Sequence, residues 1–168
     1  MVNSLLIYGA NGYTGRLIAE EALRKGITPL LAGRRPEVLL PLAEQLGCES
    51  RVFPLDDPTG LRDNLKGVSV VLHAAGPFTV TAKPMVDACL EEGAHYLDIT
   101  GETDVFESLA ARDAEAQAAG IMVMPGTGMD VVPSDGLALY LKEKLPDAAN
   151  LELALCTKGG ISHGTATT

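Results

Sequence analysis

The chain has 168 residues, 46% hydrophobic and 21% charged, with no Trp; it fits one globular domain with an aliphatic core, burying roughly two thirds of its unfolded surface. Thirteen Lys and Arg stand against 22 Asp and Glu, a formal charge of -9 with no basic block, which excludes nucleic acid because its phosphates would be repelled. No apolar run reaches the about 18–20 residues of a membrane span. A secretory n-region and h-region are missing, and a glycine loop so near the start leaves no room for a leader, so a cytoplasmic location is expected.

Short apolar runs alternate with helical patterns. Strands are expected at Ser4–Tyr8, Thr28–Ala32, Ser50–Phe53, Ser69–His73, His95–Ile99, Ile121–Met124 and Leu151–Cys156. Helices are expected at Tyr13–Lys25, Pro36–Leu46, Thr59–Leu65, Thr81–Glu92, Asp104–Ala119 and Pro133–Leu145. Gly26, Gly47, Gly67, Gly93 and Gly120 fall just past helices, where a left-handed residue ends the helix at little cost. Pro36 and Pro84 are placed in first turns, where a missing N–H is tolerated. Runs such as Val68–Leu72 and Ile121–Met124 are apolar on both sides, as in strands covered by helices on two faces. Alternation of this kind predicts an α/β fold, a Rossmann-type doubly wound parallel sheet of about six strands. From Asn150 the pattern changes, so residues 1–148 are read as one domain and 149–168 as the first strand or hairpin of a truncated second one.

Between the first strand and its helix stands Gly9-Ala10-Asn11-Gly12-Tyr13-Thr14-Gly15. A helix N-terminus behind such a loop offers unpaired N–H groups and partial positive charge to a pyrophosphate. Gly9 is expected to allow the tight turn, Gly12 the approach of phosphates, and Gly15 close packing of helix on strand. Asn11 takes the usual second-glycine position, where its tolerance of positive φ preserves the turn. A NAD site would carry an acid about 20 residues on, against the ribose 2′-hydroxyl. Arg34 and Arg35 stand there instead, and planar guanidiniums grip a 2′-phosphate, which makes NADP(H) the expected cofactor.

Two further strand ends face the same crevice. After the third strand, Asp56 is a candidate acceptor for the adenine amino group, while Asp57 or Thr59 is suited to cap the next helix. After the fourth, Ala75, Gly76 and Pro77 are small enough for backbone contact with the cofactor, and His73 is read as a strand-end residue without a catalytic role. Cys48, Cys89 and Cys156 form no C-x-x-C, and His73, His95 and His163 share no ligand spacing with them, so reduced thiols and no metal are expected.

These residues, with Tyr96-Leu97-Asp98-Ile99-Thr100-Gly101-Glu102 and the run from Pro125 to Asp135, resemble the saccharopine dehydrogenase-like oxidoreductases. Within them the bacterial branch that includes trans-acting enoyl reductases is the most similar. The resemblance implies an NADP-binding domain, then a domain that shapes the substrate site and often a homodimer interface. It also implies hydride transfer between nicotinamide and an imine or activated double bond of a small-molecule or lipid-type substrate. Tyr96, Asp98, Glu102 and Asp130 are the candidates for proton transfer, with Asp98 and Asp130 nearest the expected nicotinamide; Asp130 and Ser134 are equally suited to cap a helix. Two other readings stand: an NADP-binding regulator without turnover, and an extended short-chain dehydrogenase or isomerase. The latter rests on Tyr140-x-x-x-Lys144, which falls late in its helix, where Tyr140 is expected to flank the core beside Leu137 and Leu141.

Overall fold

Leu6, Ile7 and Tyr8 offer no polar side to water, so a strand built from them must be covered on both faces. The computed structural model, which describes residues 4–154, places that strand, β1 (Leu5–Tyr8), at the centre of a six-stranded sheet. Around it run α1 (Tyr13–Arg24), β2 (Leu30–Gly33), α2 (Pro36–Leu46), β3 (Ser50–Val52), α3 (Pro58–Leu65) and β4 (Val70–His73). Then follow α4 (Phe78–Glu92), β5 (His95–Asp98), α5 (Thr103–Ala110), α6 (Asp113–Ala119), β6 (Val123–Met124) and α7 (Val132–Lys144). Every pairing is parallel and the order is β3-β2-β1-β4-β5-β6, the Rossmann arrangement expected.

The two faces bury different sets. Ile7 and Leu31 point toward α1 and α2, where they meet Ala19, Leu39, Leu42 and Ala43. Leu6, Tyr8, Val71 and Tyr96 point toward α3, α4, α5 and α6, where Leu61, Leu65, Met85, Val86, Val105 and Ala116 close the larger core. Gly47, Gly93 and Gly120 end α2, α4 and α6 in the left-handed conformation, as the sequence pattern requires.

Several boundaries differ from expectation. Helix α4 begins at Phe78, three residues before Thr81, because a side chain from elsewhere caps it. Pro84 therefore sits inside the helix, not in its first turn, whereas Pro36 does open α2. The single helix expected over Asp104–Ala119 is two, with the break at Ala111 and Arg112. No breaker residue lies there; the Arg112 guanidinium is held at 2.6 Å by Asp87 of α4 and at 2.8 Å by Glu115. Residues 151–154 form no strand, and the remainder of the Leu151–Cys156 expectation lies outside the described residues.

Helix α7 buries none of its residues among those described. Leu137, Tyr140 and Leu141 are exposed, so Tyr140 does not flank the core, and Lys144 lies over its ring at 5.5 Å. Val132 and Leu139 of the same helix are exposed as well, and no described element covers it. No helix among the described residues is long and apolar enough to cross a membrane.

Candidate functional site

Because all six strands run the same way, their C-terminal ends share one edge of the sheet. The chain leaves β1 for β2 on one side and β4 on the other, and ligands bind in the crevice opened by such a reversal. The loop Gly9–Gly12 enters that crevice. Gly9 and Ala10 donate to the carbonyl of Ala32 at 2.8 and 3.2 Å, and Ala74 donates to Tyr8 at 2.8 Å, fixing three strand ends together.

The three glycines have distinct reasons. Gly9 has φ +82°, and a Cβ there would meet Ala75 at 2.9 Å and the backbone of Ala74 at 3.0 Å. Gly15 is buried, and a Cβ on it would collide with the carbonyl oxygen of Gly9, so the close approach is of helix to loop. Gly12 is exposed at the N-cap of α1, which has no side-chain cap and no acidic residue in its first turn. Tyr13 and Thr14 are exposed beside it. An uncapped helix start behind a glycine loop is an anion cradle.

Asn11 corrects an expectation. No residue other than glycine has positive φ among those described, so Gly9 alone makes the turn. The Asn11 carboxamide oxygen instead lies over the end of β2, 2.9 Å from where a Cβ on Gly33 would stand.

Tyr8, Arg34 and Asp56 gather at the ends of β1, β2 and β3. The buried Tyr8 hydroxyl donates to the carbonyl of Phe53 at 3.0 Å. Burial pushes its pKa up to about 12, with Arg34 pulling down and Asp56 pushing up, which places both charges within its field. Arg34 and Arg35 are exposed and join no salt bridge among the described residues. Asp57 takes the capping role, accepting from Gly60 N–H at 3.0 Å. Asp56, next to this cap, is exposed.

Residues 74–77 form the next wall, with Gly76 and Pro77 exposed and Ala75 half-buried. A cleft of about 310 Å³ opens beside them, lined by Pro77, Thr79, Glu102, Thr103 and Asp104. Of the four proton-transfer candidates, Glu102 alone lines it. Tyr96 and Asp98 are fully buried. The Tyr96 hydroxyl donates to Asp98 Oδ2 at 2.7 Å, while Asp98 Oδ1 accepts from Thr100 and Gly126 N–H at 3.0 and 2.8 Å. Burial raises the Asp98 pKa against these three bonds, and burial followed by the Asp98 charge raises that of Tyr96. Asp98 thus ties the loops after β5 and β6 together, and does not face the crevice as expected. Asp130 is exposed, and Ser134 Oγ donates to its carbonyl oxygen at 2.9 Å; no side chain caps α7.

His73 is fully buried, with its ring 5.4 to 6.2 Å from those of Phe78, Tyr8 and Tyr96. Among the described residues neither ring nitrogen has a partner, and burial lowers its pKa to about 3. It is a core residue at a strand end, as read. Cys89 is buried and Cys48 half-buried, both free thiols with raised pKa values from burial, while Cys156 lies outside the described residues. Among the described residues no cluster suits a metal ion.

What the sequence missed is Glu102 as a cap. Its carboxylate accepts from Phe78 N–H at 3.0 Å and Thr79 N–H at 2.7 Å. A local signal existed: Asp98 accepts from Thr100 N–H at 3.0 Å, and Thr100 Oγ1 from Glu102 N–H at 3.1 Å, two successive side-chain turns.

The family model for the saccharopine dehydrogenase NADP binding domain matches residues 5–124. A saccharopine dehydrogenase-like oxidoreductase of Bos taurus is 29% identical over 161 residues, covering 84% of this chain and 38% of that protein. A Mycobacterium tuberculosis protein named as a trans-acting enoyl reductase is 33% identical over 175 residues, covering 96% of this chain and 42% of its own. The chain therefore spans about two fifths of the length of these relatives. Among solved structures, apo saccharopine dehydrogenase (L-Glu forming) of Saccharomyces cerevisiae shares the fold at TM-score 0.74 and 19% identity, over 86% of this chain and 31% of its own. Triphenylmethane reductase of Citrobacter, solved with NADP(H), does so at TM-score 0.60 and 22% identity, over 73% and 48%. A sheet in Rossmann order, a glycine cradle at its switch point and a match over most of its length agree: the chain belongs to the saccharopine dehydrogenase NADP-binding domain family.

Proposed function

We propose that this chain is the cofactor-holding part of an oxidoreductase that passes hydride between NADP(H) and an imine or activated double bond of a small-molecule or lipid-type substrate. The observation that carries the reading is an uncapped α1 N-terminus beside two exposed arginines at the end of β2 that join no ion pair among the described residues. One site accepts a pyrophosphate and the other a 2′-phosphate, as NADP(H) requires. The residues present fit that group: Gly9 and Gly15 pack the loop backbone against its neighbours with no room for a side chain, and exposed Gly12 leaves the start of α1 bare for a phosphate.

In this reading Gly12, Tyr13, Thr14 and the first N–H groups of α1 bind the pyrophosphate, with Gly9 and Gly15 shaping the turn. Asn11 holds that turn against Gly33. Arg34 and Arg35 bind the 2′-phosphate, and Asp56 receives the adenine amino group. Ala75, Gly76 and Pro77 contact the cofactor through their backbone. When bound, the nicotinamide supplies or takes a hydride. Asp98 fixes the loops that flank it, leaving Asp130 exposed and Glu102 half-buried with its carboxylate on the first turn of α4. The segment from 149 onward begins the domain that holds substrate and any homodimer contact. The name of the Mycobacterium tuberculosis relative supports the enoyl class, and the imine class rests on the family resemblance.

The experiment follows the hydride. The protein together with its substrate-holding domain is incubated with NADPH deuterated at the nicotinamide C4, and either an amine with a 2-oxo acid or an enoyl thioester. Deuterium in one product assigns the substrate class. Tight NADPH binding with no transfer to either would leave an NADP-binding regulator in its place.

A further inference from the structure

Two long helices begin at the crevice, and the protein treats them differently. Helix α1 starts without a side-chain cap, whereas the first turn of α4 carries the carboxylate of Glu102. Glu102 belongs to another loop, twenty-four residues from Phe78 in sequence. Its own carbonyl accepts from Val105 and Phe106 N–H at 3.0 and 3.2 Å and so starts α5. Its N–H is taken by Thr100 Oγ1. One residue therefore joins the starts of two helices, using its main chain for α5 and its side chain for α4. Thr81 tightens the same corner, its hydroxyl donating to Ala75 and Pro77 carbonyls at 2.8 and 3.0 Å.

We propose that Glu102 is a positioning residue for the nicotinamide half of the cofactor, because its carboxylate fastens the first turn of α4, and with it the Ala74–Pro77 loop, to the loop after β5. By filling the α4 N-terminus with its own charge, it also leaves α1 as the helix start open to the cofactor's phosphates. The inference rests on the reading that residues 74–77 meet the cofactor. The adenine half, bounded by Arg34 and Asp56 at the far strands, does not depend on this clasp.

Glu102→Gln keeps the size of the side chain but sets an amide NH2 against one of the two N–H donors. Glu102→Asp keeps the charge and is one methylene too short to reach both. Dissociation constants are measured for NADPH and for 2′,5′-ADP, which lacks the nicotinamide, along with amide hydrogen exchange at residues 74–79. Both variants should weaken NADPH about tenfold, leave 2′,5′-ADP unchanged, and speed exchange at Phe78 and Thr79. If NADPH protects residues 74–79 in the parent yet binds the variants as tightly, the role assigned to Glu102 is overturned. Equal loss of both ligands, or of folding, would overturn it too, by making Glu102 a general support. If NADPH gives the parent no protection at 74–79, the underlying placement of the loop fails first, and the inference with it.

Discussion

The carbonyl oxygen of Gly9 occupies the space where a Cβ on Gly15 would project, so loop and helix touch backbone to backbone. A methyl group at Gly15 must push the turn open, and overpacking of this kind costs about 1–3 kcal/mol. Gly15→Ala is expected to lower the melting temperature and abolish NADPH binding together. At Gly12 a Cβ would stand 3.2 Å from the same oxygen, on the exposed side. Gly12→Ala should thus keep most of the stability and lose affinity, a separation visible by comparing melts with binding isotherms.

Arg34 and Arg35 are exposed and without ion-pair partners among the described residues, so removing them disturbs little of the fold. Charge-assisted hydrogen bonds are each worth about 1.5–3 kcal/mol. Replacing both by Ala removes at least two such bonds and should weaken NADPH by about a hundredfold or more while leaving NADH nearly unchanged. An unchanged ratio of the two affinities would show that the pair is surface charge only.

His73 makes the stability of the fold sensitive to acid. Its pKa is lowered from the ordinary 6.5 to about 3 by burial, so the unfolded chain binds the proton more readily. The stability it permits is complete above pH 6.5 and is lost as pH falls toward 3, with a slope of about 1.4 kcal/mol per pH unit. Since neither nitrogen has a partner, His73→Leu should be neutral or stabilising at pH 7 and should flatten that slope in acid denaturation series.

Asp98 has the opposite sign. Burial raises its pKa from the ordinary value despite three hydrogen bonds. Its contribution is greatest below the unfolded carboxylate pKa and falls as pH rises through the folded one. Asp98→Asn should therefore gain on the parent as pH rises, with Tyr96 turning to accept from the new amide. Asp98→Ala strands three donors and should cost about 3 kcal/mol or more, read from denaturant unfolding.

Much of this was legible in the sequence, for local reasons. The runs Leu5–Tyr8 and Val70–His73 announce strands buried on both faces, and Gly47, Gly93 and Gly120 mark helix ends. Asp57 was among the residues suited to cap α3, and it does. Features set by distant partners were not legible. The early start of α4 depends on Glu102, and the break before α6 on the pairing of Arg112 with Asp87. Asn11 does not take the positive φ its type suggests, because Gly9 supplies it and the Asn11 carboxamide packs on Gly33. Asp98 reads from sequence as a strand-end acid in a cleft; only the register Tyr8, His73, Asp98 across three strands shows that its side is the core side.

In the proposed reading the crevice between β1 and β4 holds NADP(H) through the α1 N-terminus and the arginines after β2. A thermal-unfolding comparison with NADPH and NADH tests it most directly. At a hundred times Kd, NADPH should stabilise the protein by about 2.7 kcal/mol, and NADH at the same concentration by clearly less. No shift with NADPH, or a larger one with NADH, would contradict the account.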